Sequence, residues 1–204
     1  MLLDVADGAF DLAAQEKLWQ LNTKGSALRQ LPGVLDCILG VNNLLIFFDP
    51  LQVVLPAFQH EILAVWGSAV AQSAIGKQLE VPVHYDTAAD SEFARIAEHA
   101  GLNLADAIKL HCGGDYIVAC VGAVPGFPYL VGMSPKLSAP RRATPRPDMP
   151  KGAVAIGGAQ TGIIPMCMPS GWHQIGHTEL SLFDPSKAQP CLLSPGDRVR
   201  FLPC

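Results

Sequence analysis

Prolines and cations are concentrated in the middle of this 204-residue chain. Seven of its 17 prolines fall within residues 124–152, a segment that also carries five lysines and arginines against a single acid. Proline fixes its own φ and restricts the residue before it, so this stretch has few backbone conformations available. We expect a stiff loop among strands and turns. A long irregular segment inside a compact domain usually has a functional role.

Three arginines of this segment, Arg141, Arg142 and Arg146, lie between prolines. A guanidinium group binds a carboxylate or a phosphate through two parallel hydrogen bonds. A loop that is ordered before binding loses less conformational freedom when the ligand arrives. The sequence therefore predicts an anion site on this loop, with a solvated surface loop or a subunit contact as the alternative.

Charge and cysteine usage exclude several classes of protein. The formal net charge is −4, and because the proline-rich segment carries +4, the rest of the chain carries −8, which argues against a nucleic-acid-binding protein. The six cysteines form no C-x-x-C pair and are expected to be reduced thiols of a cytoplasmic protein. The first residues lack the basic start of a signal peptide, and no apolar stretch is long enough to span a bilayer, so no membrane partner is expected.

The first part of the chain, residues 1–87, has a strand-helix-strand-strand-helix-strand pattern. The order βαββαβ predicts a ferredoxin-like α+β domain, with four strands and both helices on one face. Its first helix is expected from Phe10 to about Gln30. The strands at 34–39 and 44–48 are separated by turn formers and should pair as a hairpin.

The second part, residues 88–204, opens with two short helices and continues as strands and turns. Asp90 and Asn103 are the expected N-caps of the two helices. The succession of short strands and turns that follows predicts a β-barrel domain.

Further candidate binding residues lie outside the proline-rich segment. Gln160 and Thr161 follow a glycine-rich turn whose amides could approach a ligand, although a plain β-turn explains the pattern equally well. His173 and His177 have the i,i+4 spacing of zinc ligands on a helix, but Gly176 between them favours a strand, so no metal site is predicted. No phosphate-binding loop and no G-x-S-x-G motif is present.

Three segments together resemble a known family: PGFPYLVGMSPKLSAPRRATPRPDMPKGAVAIGGAQTGIIP, PSGWHQIGHT and LLSPGDRVRFLP. They closely resemble the family of the B-type subunits of 5-oxoprolinase, which includes the kinase inhibitor KipI and allophanate hydrolase subunit 1. The resemblance implies a cyclophilin-like β-barrel for residues 88–204. It also implies two partners, a related C-type subunit like allophanate hydrolase subunit 2 and a TIM-barrel-like A-type subunit. The complex is expected to use ATP to open 5-oxoproline to glutamate, with this chain inactive alone.

This chemistry suggests roles for the candidate residues. Phosphate and carboxylate charge must be stabilised, and the substrate must be oriented in a dry pocket. The catalytic candidates are Arg141, Arg146, Gln160 and Thr161. The substrate-binding candidates are Pro125, Gly126, Phe127, Pro128, Tyr129, Trp172, His173 and His177. Trp172 is also readily explained as a core residue.

The chain departs from the family pattern at Ala123, Ile164, Ser170 and His177. His177 stands where the family has an arginine, so a fixed cation is lost and catalytic competence or substrate choice is in question. Three other functions remain open: an inhibitor of a sensor histidine kinase, a carboxyltransferase subunit of a urea carboxylase or allophanate hydrolase system, and a prolyl isomerase suggested by the barrel alone.

Overall fold

The computed structural model describes residues 1–5, 8–72 and 76–204, in two compact units, Met1–Ile75 and Gly76–Cys204. The first unit contains β1 (Leu2–Asp4), α1 (Leu12–Leu21), β2 (Val34–Leu39), β3 (Asn43–Phe48) and α2 (Leu55–Ser68). The second unit contains β4 (Gln78–Tyr85), α3 (Glu92–His99), α4 (Leu104–Cys112), β5 (Tyr116–Val121), β6 (Pro128–Val131), β7 (Arg146–Met149), β8 (Ala153–Gly157), β9 (Gln160–Ile163), β10 (Met168–Ser170), β11 (His173–His177) and β12 (Arg198–Pro203).

The first unit is a three-stranded antiparallel sheet in the order β1-β3-β2, with two helices. Leu18 of α1, Leu44 of β3 and Phe58 of α2 are buried in its core. The predicted hairpin is confirmed, and Asn42 in its turn adopts a left-handed φ of 52°. The backbone N–H of Asn42 donates to Gln15 Oε1 at 2.6 Å, and this hydrogen bond connects the turn to α1.

Two predictions for this unit need correction. The first helix ends at Leu21 rather than near Gln30, since Asn22, Thr23 and Gly25 are poor helix formers. The Ser26 hydroxyl donates to the Leu21 carbonyl oxygen at 2.5 Å and satisfies an acceptor left unpaired at the helix end. The four-stranded ferredoxin-like sheet is not confirmed. Its expected fourth strand, residues 78–85, pairs instead with strands of the second unit.

Seven strands of the second unit form a closed barrel in the order β11-β4-β12-β5-β6-β9-β8, with β8 pairing back to β11. The predicted α+β class and the barrel are therefore confirmed. Closure satisfies every edge strand and encloses a core that includes Val81, Leu130 and Phe201. Since β4 belongs to this barrel, the boundary between the two units along the chain lies at 75/76, whereas the sequence pattern predicted it at 87/88.

Helices α3 and α4 begin at side-chain caps. Ser91 Oγ, rather than the expected Asp90, accepts the Ala94 N–H at 3.0 Å. Asn103 caps α4 as predicted, accepting the Asp106 N–H at 2.8 Å. Phe93 of α3 is buried in the barrel core. Among the described residues no helix is both long and apolar enough to cross a bilayer. All six cysteines are free.

Candidate anion-binding site

A buried carboxylate, Glu92 at the start of α3, joins three separate segments of the barrel unit. Its Oε1 accepts a hydrogen bond from Arg142 of the proline-rich segment. Its Oε2 accepts a hydrogen bond from the backbone N–H of Gln174 in β11 at 2.8 Å. Arg146 Nη2 lies 3.9 Å from Oε2, and His173 Nδ1 lies 3.6 Å from Oε1. One carboxylate therefore fixes the helix, the loop and the strand against one another.

Arg142 and Arg146 both form ion pairs with Glu92 in this cluster. Besides its ion pair with Glu92, Arg146 donates from Nη1 to Gln174 Oε1 at 3.1 Å. Each of the two arginine side chains is one-third exposed. The structure thus places Arg146, a predicted catalytic residue, in an ion-pair network rather than free to bind a ligand.

Arg141 has different surroundings. Its guanidinium carbon lies 5.8 Å from the centroid of the Trp172 ring, a cation–π contact. Trp172 is buried, and its ring lies against the backbone of Gly157, where an added Cβ would approach the ring to 2.5 Å. No carboxylate in the described part of the chain lies within ion-pair distance of Arg141. This contact holds the guanidinium beside the ring while leaving its N–H donors available for a ligand.

Two aromatic residues of the PGFPY segment pack against the Trp172 ring that Arg141 contacts. Phe127 and Tyr129 meet the Trp172 ring edge to face, at centroid distances of 5.3 and 6.0 Å. Burial raises the pKa of the Tyr129 hydroxyl, and the charge of Arg141 opposes that rise. The predicted residues Phe127, Tyr129, Arg141 and Trp172 are therefore brought together by the fold.

A cavity of about 410 Å³ opens between α3 and the loop 138–143. Its charged lining includes Arg95 of α3 together with Arg141 and Arg142 of the loop. Arg95 is exposed, and within the described ranges no carboxylate lies within ion-pair distance of it. The cavity therefore presents cations from two different elements.

Sequence reasoning missed Glu92, Arg95 and His99, which line the same cavity. The signal was available in part. Spacings of three and four residues place side chains on one face of a helix, and a short helix beginning near Asp90 was expected from the sequence.

The two candidate histidines lie at opposite ends of β11. His173 Nε2 donates to the Pro140 carbonyl oxygen at 2.9 Å, so the ring connects the strand to the proline-rich loop beside the cavity. His177 Nε2 is 3.1 Å from Glu179 Oε1 at the surface, and His177 is not part of the cavity wall. No group of potential metal ligands occurs among the described residues.

Thr161 lies in the barrel core, although it was predicted to contact substrate. It is fully buried, and its hydroxyl donates to the Ala155 carbonyl oxygen at 2.9 Å. It belongs to a second polar network, since His111 Nε2 lies 3.2 Å from Thr161 Oγ1. The neighbouring candidate, Gln160, is half-buried where β9 begins.

The second network has one consistent set of donors. Because the only hydroxyl proton of Thr161 goes to Ala155, His111 Nε2 must donate, and His111 Nδ1 must accept from the Tyr85 hydroxyl at 2.6 Å. Cys112 Sγ, 3.4 Å from the Tyr85 oxygen, is then the donor of that contact. Burial lowers the pKa of His111 to about 3, so its ring is neutral.

The remaining candidates shape the turn before β6. Gly126 has a φ of 82°, and a Cβ there would lie 2.8 Å from the Phe183 Cβ. Pro125 is exposed, whereas Pro128 is buried at the start of β6. These three residues therefore position Phe127 and Tyr129.

Three of the positions expected to depart from the family pattern can be described in the structure. Ser170 Oγ accepts a hydrogen bond from the backbone N–H of Trp172 at 3.2 Å, and Ile164 packs in the same apolar cluster as Trp172. Ala123 has a left-handed φ of 61°. Ser170 and Ile164 therefore help to position Trp172, which contacts the guanidinium of Arg141.

The family model for the carboxyltransferase domain, subdomains C and D, matches residues 1–193. The chain is 40% identical over 193 residues to the 5-oxoprolinase B-type subunit of Escherichia coli O157:H7, an alignment that covers 94% of this chain and 87% of that relative. The chain belongs to this family of 5-oxoprolinase subunits. Another relative with the same name, from Haemophilus influenzae, is 37% identical over 188 residues, covering 92% of this chain and 86% of its own length.

Solved structures place the same fold inside longer chains. The whole chain matches TTHA0988 with a TM-score of 0.78 at 33% identity, but spans only 39% of that protein. The Kluyveromyces lactis urea carboxylase matches with a TM-score of 0.79 at 20% identity, with 100% of this chain against 21% of that one, which shows the fold alone. A conserved uncharacterized protein from Pyrococcus horikoshii, 27% identical, matches over 93% of its length and all of this chain with a TM-score of 0.59.

Proposed function

We propose that this chain is one component of an ATP-dependent 5-oxoprolinase, which opens the lactam of 5-oxoproline to glutamate together with a C-type and an A-type partner subunit. The relatives named as B-type subunits of 5-oxoprolinase support this proposal. The observation that carries it is the guanidinium of Arg141, in cation–π contact with Trp172 and with no carboxylate partner among the described residues.

The arrangement suits the substrate's chemistry. 5-Oxoproline is a small ring that carries a carboxylate and a resonance-stabilised lactam. Arg141 would hold an oxyanion of the substrate through paired hydrogen bonds. Phe127 and Tyr129, which both contact Trp172, would help to exclude water from the substrate's ring.

Lactam opening in this manner needs charge stabilisation rather than a protein nucleophile. ATP would supply a phosphoryl group that activates the lactam carbonyl towards water. The lactam C–N bond then breaks, its nitrogen becomes the amine of glutamate, and the phosphoryl group ends as inorganic phosphate. The residues of this chain would orient the substrate and stabilise developing negative charge. Thr161, whose hydroxyl is committed to Ala155 in the core, takes no part in this scheme.

The test is reconstitution of the purified chain with its two partner subunits, measuring glutamate release from 5-oxoproline and ATP. The chain alone should be inactive. Arg141→Ala should lower kcat/KM by roughly 10- to 100-fold, because hydrogen bonds to charged groups are worth about 1.5–3 kcal/mol. Arg198→Ala is the control, since Arg198 pairs with Asp115 outside the cavity. Glutamate release by the chain alone, or full activity of Arg141→Ala, would contradict the proposal.

A second candidate function is supported by the family model, which describes a carboxyltransferase domain over residues 1–193. The chain would then serve a urea carboxylase or allophanate hydrolase system and need a biotin-carrying partner. The same reconstituted complex separates the two functions. Activity that requires biotin and bicarbonate favours carboxyl transfer, and activity that requires only ATP and 5-oxoproline favours lactam opening.

A further inference from the structure

We propose that the cavity beside α3 binds a phosphoryl group through Arg95 and Arg141, and that Glu92 withholds Arg142 and Arg146 from this ligand. This inference rests on the proposed function and deepens it, because it assigns a ligand class to one pocket of this chain.

The charges that line the cavity favour a dianion. Three guanidinium groups, those of Arg95, Arg141 and Arg142, face a single carboxylate, Glu92, so the lining carries an excess of two positive charges. A phosphate monoester has a second pKa near 6 and is largely dianionic at pH 7, whereas inorganic phosphate is present there as a mixture of monoanion and dianion. A monocarboxylate would neutralise only half of that excess.

The two proposed ligand-binding arginines differ from the other two in their partners. Arg95 and Arg141 are exposed and lie on different elements, the helix and the loop, so together they can approach a ligand from two directions. Neither has a carboxylate within ion-pair distance in the part of the chain that the structure describes. A phosphoryl group has enough oxygens to bond both guanidinium groups at once.

Glu92 has a fixed geometry that holds the remaining arginines. The Gln174 N–H and the Arg142 guanidinium hydrogen-bond its two oxygens, and Arg146 bonds to the side chain of Gln174. Its negative charge also faces the cavity and opposes an incoming anion. Removing that charge while keeping the shape, in Glu92→Gln, should therefore strengthen phosphate binding, although the change breaks a native ion pair.

The experiment measures binding of inorganic phosphate to the full chain by ³¹P NMR titration at low salt, with separate arms for ATP and for 5-oxoproline. Arg95→Ala and Arg141→Ala should each weaken phosphate binding about tenfold or more. Glu92→Gln should bind phosphate several-fold tighter. Arg198→Ala should bind like the wild type, because that arginine lies in another part of the barrel unit and pairs with Asp115.

Unchanged phosphate affinity in both arginine variants would overturn the proposal, as would binding of 5-oxoproline with no binding of phosphate or ATP. Competition by ATP identifies a nucleotide as the source of the phosphoryl group, and binding of phosphate without ATP identifies a smaller phosphate; both support the site. Should Glu92→Gln fail to fold, the exposed arginines still decide the question.

Glutamate release by the reconstituted complex, measured with the same variants, separates the two proposals. If Arg141→Ala abolishes turnover but leaves phosphate affinity intact, the proposed function stands and this site is refuted. If the complex never releases glutamate while phosphate binding depends on both arginines, the proposed function fails and the site remains.

Discussion

The barrel unit contains two buried polar networks with opposite electrostatics. The network around Glu92 is ionic, and its partners Arg142 and Arg146 each keep a third of their side chain exposed. The network around His111 is neutral and enclosed, with the ring fully buried between Tyr85 and Thr161. A neutral, satisfied network specifies one core arrangement, whereas a partly exposed ionic one can respond to ligands and salt. Acid, the loss of a hydroxyl and added salt should each act differently on the two networks.

Acid should break the neutral network, with the largest effect. The unfolded chain protonates its histidine near pH 6.5, while the folded chain protonates His111 only at about 3. Between these values the unfolded state binds more protons, so stability falls as pH falls, by up to about 1.4 kcal/mol per pH unit from this residue. Urea unfolding of wild type and His111→Gln from pH 7 to 4.5 measures the difference in slope. Equal slopes would show that His111 is already charged when folded.

Removing one hydroxyl should damage the neutral network without touching the site. Thr161→Val leaves the His111 Nε2–H without an acceptor in the core, which should cost about 1–3 kcal/mol in the free energy of unfolding. Thr161→Ser keeps the oxygen and should retain most of the stability. Turnover in the reconstituted complex should be preserved in both variants below their unfolding temperatures. Lost turnover with unchanged stability would instead give Thr161 the substrate role that its burial argues against.

Salt should separate the two networks by the smallest margin. Raising the NaCl concentration screens the partly exposed pairs of Glu92, so wild-type stability should decrease by less than about 1 kcal/mol through this cluster. Glu92→Gln should lose that part of the salt dependence, and Thr161→Val should keep it. Thermal unfolding of the three proteins at low and high NaCl concentration provides the comparison, and an identical response in all three would contradict it.

Local patterns predicted the elements better than their partners. The turn formers between β2 and β3, the Asn103 cap and the arginines between prolines were readable because each depends on neighbouring residues. The alternation of residues 78–85 correctly indicates a strand, but alternation carries no information on which sheet the strand joins. That choice depends on β12, more than a hundred residues away.

The same limit applies to the site. Trp172 and Arg141 were recognisable from their motifs, and the structure brings them together. Glu92 was missed because a glutamate in the first turn of a helix is usually exposed there and favoured by the helix dipole, so nothing local marks it as buried. The burial of Thr161 was not predicted because neighbouring residues on a strand face opposite sides, and sequence alone did not show which side holds the core.

The parallel pairing of β4 with β12 affects how the protein folds during synthesis. Val81 lies beside Phe201 in this parallel pair, and the other neighbour of β4 is β11, so both of its partners are synthesised long after it. During translation β4 leaves the ribosome without a strand partner, with Val81 and Val83 of its core face uncovered, and it stays so until residues 173–203 have followed. Such late, long-range pairing is slow and exposes the nascent chain to aggregation. The core face of β4 therefore stays uncovered by its strand partners for most of the time that this unit takes to be translated.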